Sequence, residues 1–290
     1  MIPLTEAAQK HGQSLQFPHG DCLVALLPGG DSHQAAQQLY QWLETDEAAK
    51  QALQITEAEL LVPIERPNKL FLLAGNYAKH IEEGGDVAVE RAETFPYVFM
   101  KPPTTTLTAA NQPILVPTVS PNAIDWELEL AVVIGKTARH VKEADALDYV
   151  AGYTIINDIS DRKFRPNPNR RLRDRDKFFD WLHGKWHDRF CPCGPCIASA
   201  DSIADPQALK MELKVNGETK QDASTAQQIF PVAAVIEFIS DLTTLEPGDI
   251  ISTGTPSGVG NASGQYLHAG DRMEAAIESI GCLQTPVQAE

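Results

Sequence analysis

Asp125-Trp126-Glu127-Leu128-Glu129-Leu130-Ala131-Val132-Val133-Ile134-Gly135 is the stretch whose reading decides the fold. Its apolar and β-branched run predicts a strand from Trp126 to Ile134, and alternate side chains of a strand share a face. Glu127 and Glu129 therefore point one way, and Trp126, Leu128 and Leu130 the other. Beyond Glu129 both faces are apolar, as expected of a strand entering a core. Two neighbouring carboxylates repel, so positive charge should sit between them. A half-exposed strand with its polar face in water is the alternative. A second buried-looking run, Gly152-Tyr153-Thr154-Ile155-Ile156-Asn157-Asp158, ends in a third acid that can join the same place. Three carboxylates without His or Cys make a hard, oxygen-only donor set, suited to Mg²⁺, Mn²⁺ or Ca²⁺ rather than Zn²⁺. An octahedral ion on three such ligands keeps positions for water or substrate, which is catalytic geometry.

The chain around this stretch has 290 residues, 43% of them hydrophobic, and a formal net charge of -15 from 24 Lys+Arg against 39 Asp+Glu. That composition excludes disorder and collagen, and the length suits one large domain with a smaller lobe. The acidic surface argues against nucleic acid as a partner. No run approaches eighteen apolar residues, so no membrane span is expected, and Met1 to Gln16 lacks the pattern of a secretory leader. A cytoplasmic location follows as an expectation. Cys22, Cys191, Cys193, Cys196 and Cys282 form an odd set with three crowded together, read as reduced thiols.

Pro63 and Pro67 punctuate the chain, which places a boundary near residues 62–68 and divides it into a small N-terminal lobe, 1–65, and a main domain, 66–290. In the lobe, Cys22 to Leu27 is a strand candidate, and Ala35, Leu39, Trp42 and Leu43 recur at helical spacing. The main domain is dominated by short strands: Lys69 to Ala74, Tyr97 to Met100, Ile114 to Val116, Trp126 to Ile134, Gly152 to Asn157 and Met211 to Val215. Asn216-Gly217 signals a two-residue hairpin. Helices are expected at Ala144 to Ala151 and at Pro231 to Leu242, where Val232, Val235, Ile236 and Ile239 form one stripe. This irregular order argues for an α+β fold with a curved or rolled sheet and against a doubly wound one.

Seven motifs in one order now carry a resemblance. They are Leu73-Ala74-Gly75-Asn76-Tyr77-Ala78-Lys79-His80; Phe99-Met100-Lys101-Pro102-Pro103; the Asp125 to Gly135 strand; Tyr149 to Thr154 continuing through Asn157-Asp158; Phe190-Cys191-Pro192-Cys193-Gly194-Pro195; Leu245-Glu246-Pro247-Gly248-Asp249-Ile250; and Thr253-Gly254-Thr255-Pro256. From about residue 66 onward the chain resembles the fumarylacetoacetate hydrolase family. The resemblance implies a mixed β-sandwich roll of that family's C-terminal type, a homodimer, and Mg²⁺, Mn²⁺ or Ca²⁺ as cofactor. It also implies Glu127, Glu129 and Asp158 as metal ligands, in agreement with the charge reading above. His80 and Glu83 match a His-x-x-Glu pair on a short helix, where a spacing of three lets the carboxylate orient the imidazole as a base. Lys185 matches a catalytic lysine and Arg162 a substrate-facing arginine. Thr255 and Gly254 belong to a loop whose hydroxyl and N–H groups suit a carboxylate. Tyr77 joins the substrate-binding set, although packing serves equally for Tyr77, and packing or a surface position for Lys101.

The activity expected from this resemblance is divalent-metal-dependent hydrolysis of a C–C bond in an acylpyruvate or related 2-oxo acid or diacid, as in aromatic catabolism, through a metal-stabilised enolate. The alternatives are an oxaloacetate decarboxylase or a 2-hydroxyhepta-2,4-diene-1,7-dioate isomerase, since both share the enolate. A non-catalytic metabolite-binding paralogue is the alternative of another class, and its expected mark, a broken dyad or ligand set, is missing here. Arg162, Lys163, Arg165, Arg170, Arg171, Arg173, Arg175 and Lys177 crowd one segment, with Asp174 and Asp176 to offset them. Pairing with acidic surface is the plain reading of that segment, and a lid that attracts a dicarboxylate is the functional one. A zinc site at Cys191, Cys193 and Cys196 lacks a second Cys pair.

Overall fold

A computed structural model describes residues 1–12, 23–165 and 167–290. The chain separates into two compact units, Met1–Leu60 and Leu61–Glu290. The first is helical: Leu4–His11, His33–Thr45 and Glu47–Leu53. Leu39 and Leu43, one helical turn apart, are the buried residues of the His33–Thr45 helix. Asp46 ends that helix and caps the next, its carboxylate accepting the Ala49 N–H at 2.9 Å. The strand expected over Cys22 to Leu27 is corrected. Leu23–Leu26 is a 3₁₀ turn, and Cys22, with Gln13 to Gln16 of the terminal segment, lies outside the described residues. Local bonds satisfy its backbone, Leu27 donating to Val24 and Ser32 to Ala25, so no sheet partner is required.

The second unit holds two large sheets and a two-stranded pair. Seven strands run in the order Tyr97–Met100, Leu70–Ala74, Ile250–Ser252, Leu128–Ile134, Val150–Asn157, Cys191–Ser199 and Leu107–Thr108. Five run Glu218–Ser224, Lys210–Val215, Arg272–Ile277, Gly281–Ala289 and Ile114–Val116. Parallel and antiparallel pairings mix within both, which gives the expected α+β character. Asn216 and Gly217 have φ of 53° and 82°, the left-handed pair that a type I′ hairpin needs. Val232–Leu242 is a helix as expected, with Pro231 as its cap rather than in its first turn. The helix expected over Ala144 to Ala151 is instead a 3₁₀ helix, Glu143–Tyr149. Tyr149 gives its carbonyl to Gly135, and Val150 already begins the next strand. No helix among the described residues is long and apolar enough to cross a membrane.

The acid-bearing strand lies mid-sheet and is buried along its whole length, as the apolar run on both sides of Glu129 implies. It starts later than expected, at Leu128. Ile124–Asp125 forms a separate short pair with Ser160–Asp161, and Trp126-Glu127 links the two pieces. The link keeps its bonds: Glu127 donates its N–H to Asn157 Oδ1 at 2.9 Å and accepts the Asp158 N–H at 2.8 Å. Gln221 ties the second sheet to this strand. Its carbonyl accepts the Leu128 N–H at 3.0 Å, and its amide donates to Thr255 Oγ1 at 2.9 Å and to the Pro256 carbonyl at 2.8 Å. Gln221→Leu strands these buried groups and is expected to cost about 2–4 kcal/mol of stability, read as a lower urea midpoint.

Candidate active site

Where the strand bearing Glu129 runs beside the strand that ends just before Asp158, Glu127, Glu129 and Asp158 come together. One oxygen from each lies within 4.8 Å of the others, and all three side chains are buried. Among the described residues this is the one such grouping of His, Cys, Asp or Glu donors, so the cysteines form no zinc site. Burial pushes the Cys191 and Cys193 thiols up, the latter to about 12, which keeps both protonated.

Positive charge surrounds the acids, as their repulsion requires. The Lys185 ammonium bridges Glu127 Oε2 at 3.1 Å and Asp158 Oδ2 at 2.5 Å, and also donates to Ser160 Oγ at 2.9 Å. Phe99 and Trp181 present their rings to it at 5.2 and 5.5 Å. Lys101, fully buried, holds the other Asp158 oxygen at 2.5 Å and the carbonyls of Ile159 and Phe190. Arg162 donates to Asp125 Oδ2 at 2.7 Å and to Glu127 Oε1 at 2.5 Å. Lys101 was legible only as a lysine in a motif. The signal that marks it is the rule that a buried acid needs a buried cation.

Glu129 is held differently. Its Oε2 accepts from Ser252 Oγ at 2.6 Å and from the Gly254 N–H at 2.9 Å, while its Oε1 is buried without a partner. Two expectations change here. The Gly254 N–H is spent on Glu129, so it is not available to a substrate. The Thr255 hydroxyl donates to the Leu128 carbonyl at 3.0 Å and accepts from Gln221, so it too serves the acid cluster's frame. Gly254 keeps φ at 87°, and a Cβ there would sit 2.9 Å from the Asn76 side chain. Tyr77 is not brought to the cleft: it is buried, with its hydroxyl donating to Met211 Sδ at 3.3 Å.

The two buried glutamates titrate in opposite directions. Burial alone would raise Glu127, but the Lys185 ammonium and Arg162 guanidinium, with His80, hold it well below the usual carboxylate range. Burial, reinforced by the Asp158 and Glu127 charges, pushes Glu129 well above that range. The all-oxygen donors, the orphaned Glu129 Oε1 and this uncompensated repulsion all fit a divalent cation.

His80 stands on the short helix Ala78–Glu83, its Nδ1 2.8 Å from Glu83 Oε1. Glu83 is fixed in turn by the Gly258 N–H, 2.9 Å from its Oε2. A recess of about 60 Å³ is bounded by His80, Glu127, Arg162, Lys185, Trp181 and Thr255. It lies beside an outer cleft of about 770 Å³ that shares His80, Arg162 and Trp181 with it. Of the eight basic residues in the 162–177 segment, Arg162 alone lines either space. Arg170 pairs with Asp176 and Asp180, and Arg173 with Asp176, so the plain reading fits these two. Pro166 lies outside the described residues.

A family model described as "Fumarylacetoacetate (FAA) hydrolase C-terminal" matches residues 69–288. The chain belongs to the fumarylacetoacetate hydrolase family. Its sheets have that family's C-terminal fold. The Sphingomonas sp. (strain SKA58) family protein "2,4-didehydro-3-deoxy-L-rhamnonate hydrolase" is 40% identical over 224 residues, 76% of this chain and 73% of its own. The Bos taurus protein "Oxaloacetate tautomerase FAHD2A, mitochondrial" is 38% identical over 230 residues, 79% of this chain and 69% of its own. A solved 2-hydroxyhepta-2,4-diene-1,7-dioate isomerase from Mycobacterium marinum is 36% identical with a TM-score of 0.65, covering 80% of this chain and 78% of that one.

Because the folded pKa of Glu129 is raised, its ionised form costs stability at neutral pH, and the cost is relieved as pH falls through that raised value. Glu129→Gln removes the charge and keeps an oxygen for Ser252 and Gly254. The metal-free variant is expected to melt at or above the wild-type temperature at pH 7.5. It should also lose the rise in melting temperature that saturating Mg²⁺ or Mn²⁺ gives the wild type, a stabilisation of about 2.7 kcal/mol at a hundredfold excess over Kd. Calorimetric melts with and without metal check both signs.

Proposed function

We propose that this chain is a divalent-metal-dependent hydrolase that cleaves the C–C bond of an acylpyruvate or related 2-oxo acid, with Mg²⁺ as its ion. One observation carries the proposal: the recess joins the His80–Glu83 pair, Lys185 and Arg162 at the edge of the Glu127, Glu129 and Asp158 cluster. When bound, the ion would be held by those three carboxylates and would supply Lewis acidity toward a chelating 2-oxo carboxylate.

The chain's own groups do the rest. Arg162, braced by Asp125 and Glu127, offers positive charge to the substrate carboxylate. Glu83, tied to Gly258, fixes the His80 ring through Nδ1 and leaves Nε2 to take a proton from water. That water adds to the distal carbonyl, and the Lys185 ammonium stabilises the oxyanion that forms. The C–C bond then breaks, releasing the acyl group as a carboxylic acid, and His80 returns its proton to the methylene carbon of the departing pyruvate enolate. Trp181 and Phe99 cover Lys185 and limit its contact with bulk water.

The relatives support a second reading. The tautomerase and isomerase names describe proton transfer beside a carbonyl, which the same dyad performs without an attacking water. Incubation of the Mg²⁺-loaded protein with acetylpyruvate, fumarylpyruvate and oxaloacetate separates the readings by product: pyruvate plus an acid for hydrolysis, against a tautomer or isomer alone. His80→Ala is expected to lose about 10²–10⁴-fold in kcat while keeping the metal-dependent rise in melting temperature. Full activity of that variant on an acylpyruvate would remove His80 as the base.

A further inference from the structure

We propose that the outer cleft selects 2-oxo monoacids carrying an uncharged, apolar tail and discriminates against 2-oxo diacids, with Val87, Val89, Phe95 and Phe230 forming the wall that receives the tail. The inference rests on the 2-oxo acid reading of the inner recess and adds the nature of the distal group.

Charge accounting is the first support. Four carboxylates, Asp125, Glu127, Glu129 and Asp158, face three cations, Lys101, Lys185 and Arg162. With all four acids ionised, as a bound cation requires, the cluster and a divalent ion together carry one net positive charge. One substrate carboxylate neutralises it, and a second has no counter-charge left. The outer cleft offers none either. Its one guanidinium, Arg162, is paired with Asp125 and Glu127 and serves the first carboxylate; of the other ionisable groups on its wall, His80 is paired with Glu83, and Glu83 and Asp86 are acids that repel an anion. The basic residues that follow Arg162 in the 162–177 segment do not line the cleft.

Apolar surface is the second support. Val87 is 84% exposed, Val89 42% and Phe95 58%, all on the wall of the same cleft, and large apolar side chains grouped in the open mark a binding surface. Phe95 is not loose. It stands edge-on to Tyr97 at 5.4 Å and stacks on Phe238 at 6.2 Å, so this part of the wall is held in place. At about 770 Å³ the space is the size of a ligand pocket and exceeds what a four-carbon acid fills.

Isothermal titration of the Mg²⁺-loaded full chain with 2-oxobutanoate, 2-oxohexanoate, 2-oxooctanoate and the eight-carbon diacid 2-oxosuberate tests this without relying on turnover. Kd is expected to fall up to about fourfold per buried methylene along the monoacids, the equivalent of about 0.8 kcal/mol each. 2-Oxosuberate should bind at least tenfold more weakly than 2-oxooctanoate. Phe95→Lys should erase that gap while leaving the Mg²⁺-dependent rise in melting temperature unchanged. Equal or tighter binding of the diacid, a Kd that ignores chain length, or a gap that survives Phe95→Lys overturns the assignment. Failure of every 2-oxo acid to bind a protein that still binds Mg²⁺ overturns the underlying reading as well, and is thereby told apart.

Discussion

Repulsion among three buried carboxylates is the constraint that the larger unit is built to answer. Glu127, Glu129 and Asp158 are each at most 5% exposed, and no polypeptide keeps such a cluster charged without compensation. Two lysines and an arginine supply most of it from widely separated places: the end of the Tyr97–Met100 strand, the segment after Asp158, and the turn beyond Gly184. The remainder is left open at Glu129 Oε1, which is buried without a hydrogen-bond partner. That unmet charge is what leaves the cluster able to take up a cation. A cluster neutralised entirely by lysine would be an inert buried network.

The same constraint explains why loops that resemble ligand cradles face inward. Ser252 and the Gly254 N–H hold one oxygen of Glu129, and Thr255 with Gln221 holds the backbone of Leu128. These groups fix which oxygen of Glu129 is orphaned. They orient a carboxylate, and the recess beside it is lined by His80, Lys185 and Arg162 together with Thr255.

What was legible in the sequence follows from the range of the forces involved. Strands buried on both faces announce themselves by largely apolar runs, so the bodies of Leu128–Ile134 and Val150–Asn157 were legible although Val150 and Ala151 read as helix, and the Asn216-Gly217 turn is dictated by local backbone sterics. The His80–Glu83 contact is local too, three residues apart on one helix. Leu23–Leu26 was misread because four apolar residues serve a turn as well as a strand. The break at Trp126-Glu127 was hidden because it depends on Asp125 pairing with Ser160, a partner 35 residues away in the chain. Lys101 reaches Asp158 across 57 residues and Ser252 reaches Glu129 across 123, and no spacing rule encodes either. Family resemblance pointed to the three acids that cluster here, whereas the long-range partners of the Thr255 and Tyr77 hydroxyls, Leu128 and Met211, are not written in any local motif.

Crystals soaked in Mn²⁺ and measured at the manganese absorption edge examine the central claim most directly. An anomalous peak within about 2.6 Å of one oxygen each from Glu127, Glu129 and Asp158, with Glu129 Oε1 among them, is the predicted result. A peak elsewhere on the chain, or no peak at saturating Mn²⁺ while Lys185 keeps its bridge from Glu127 to Asp158, would contradict it.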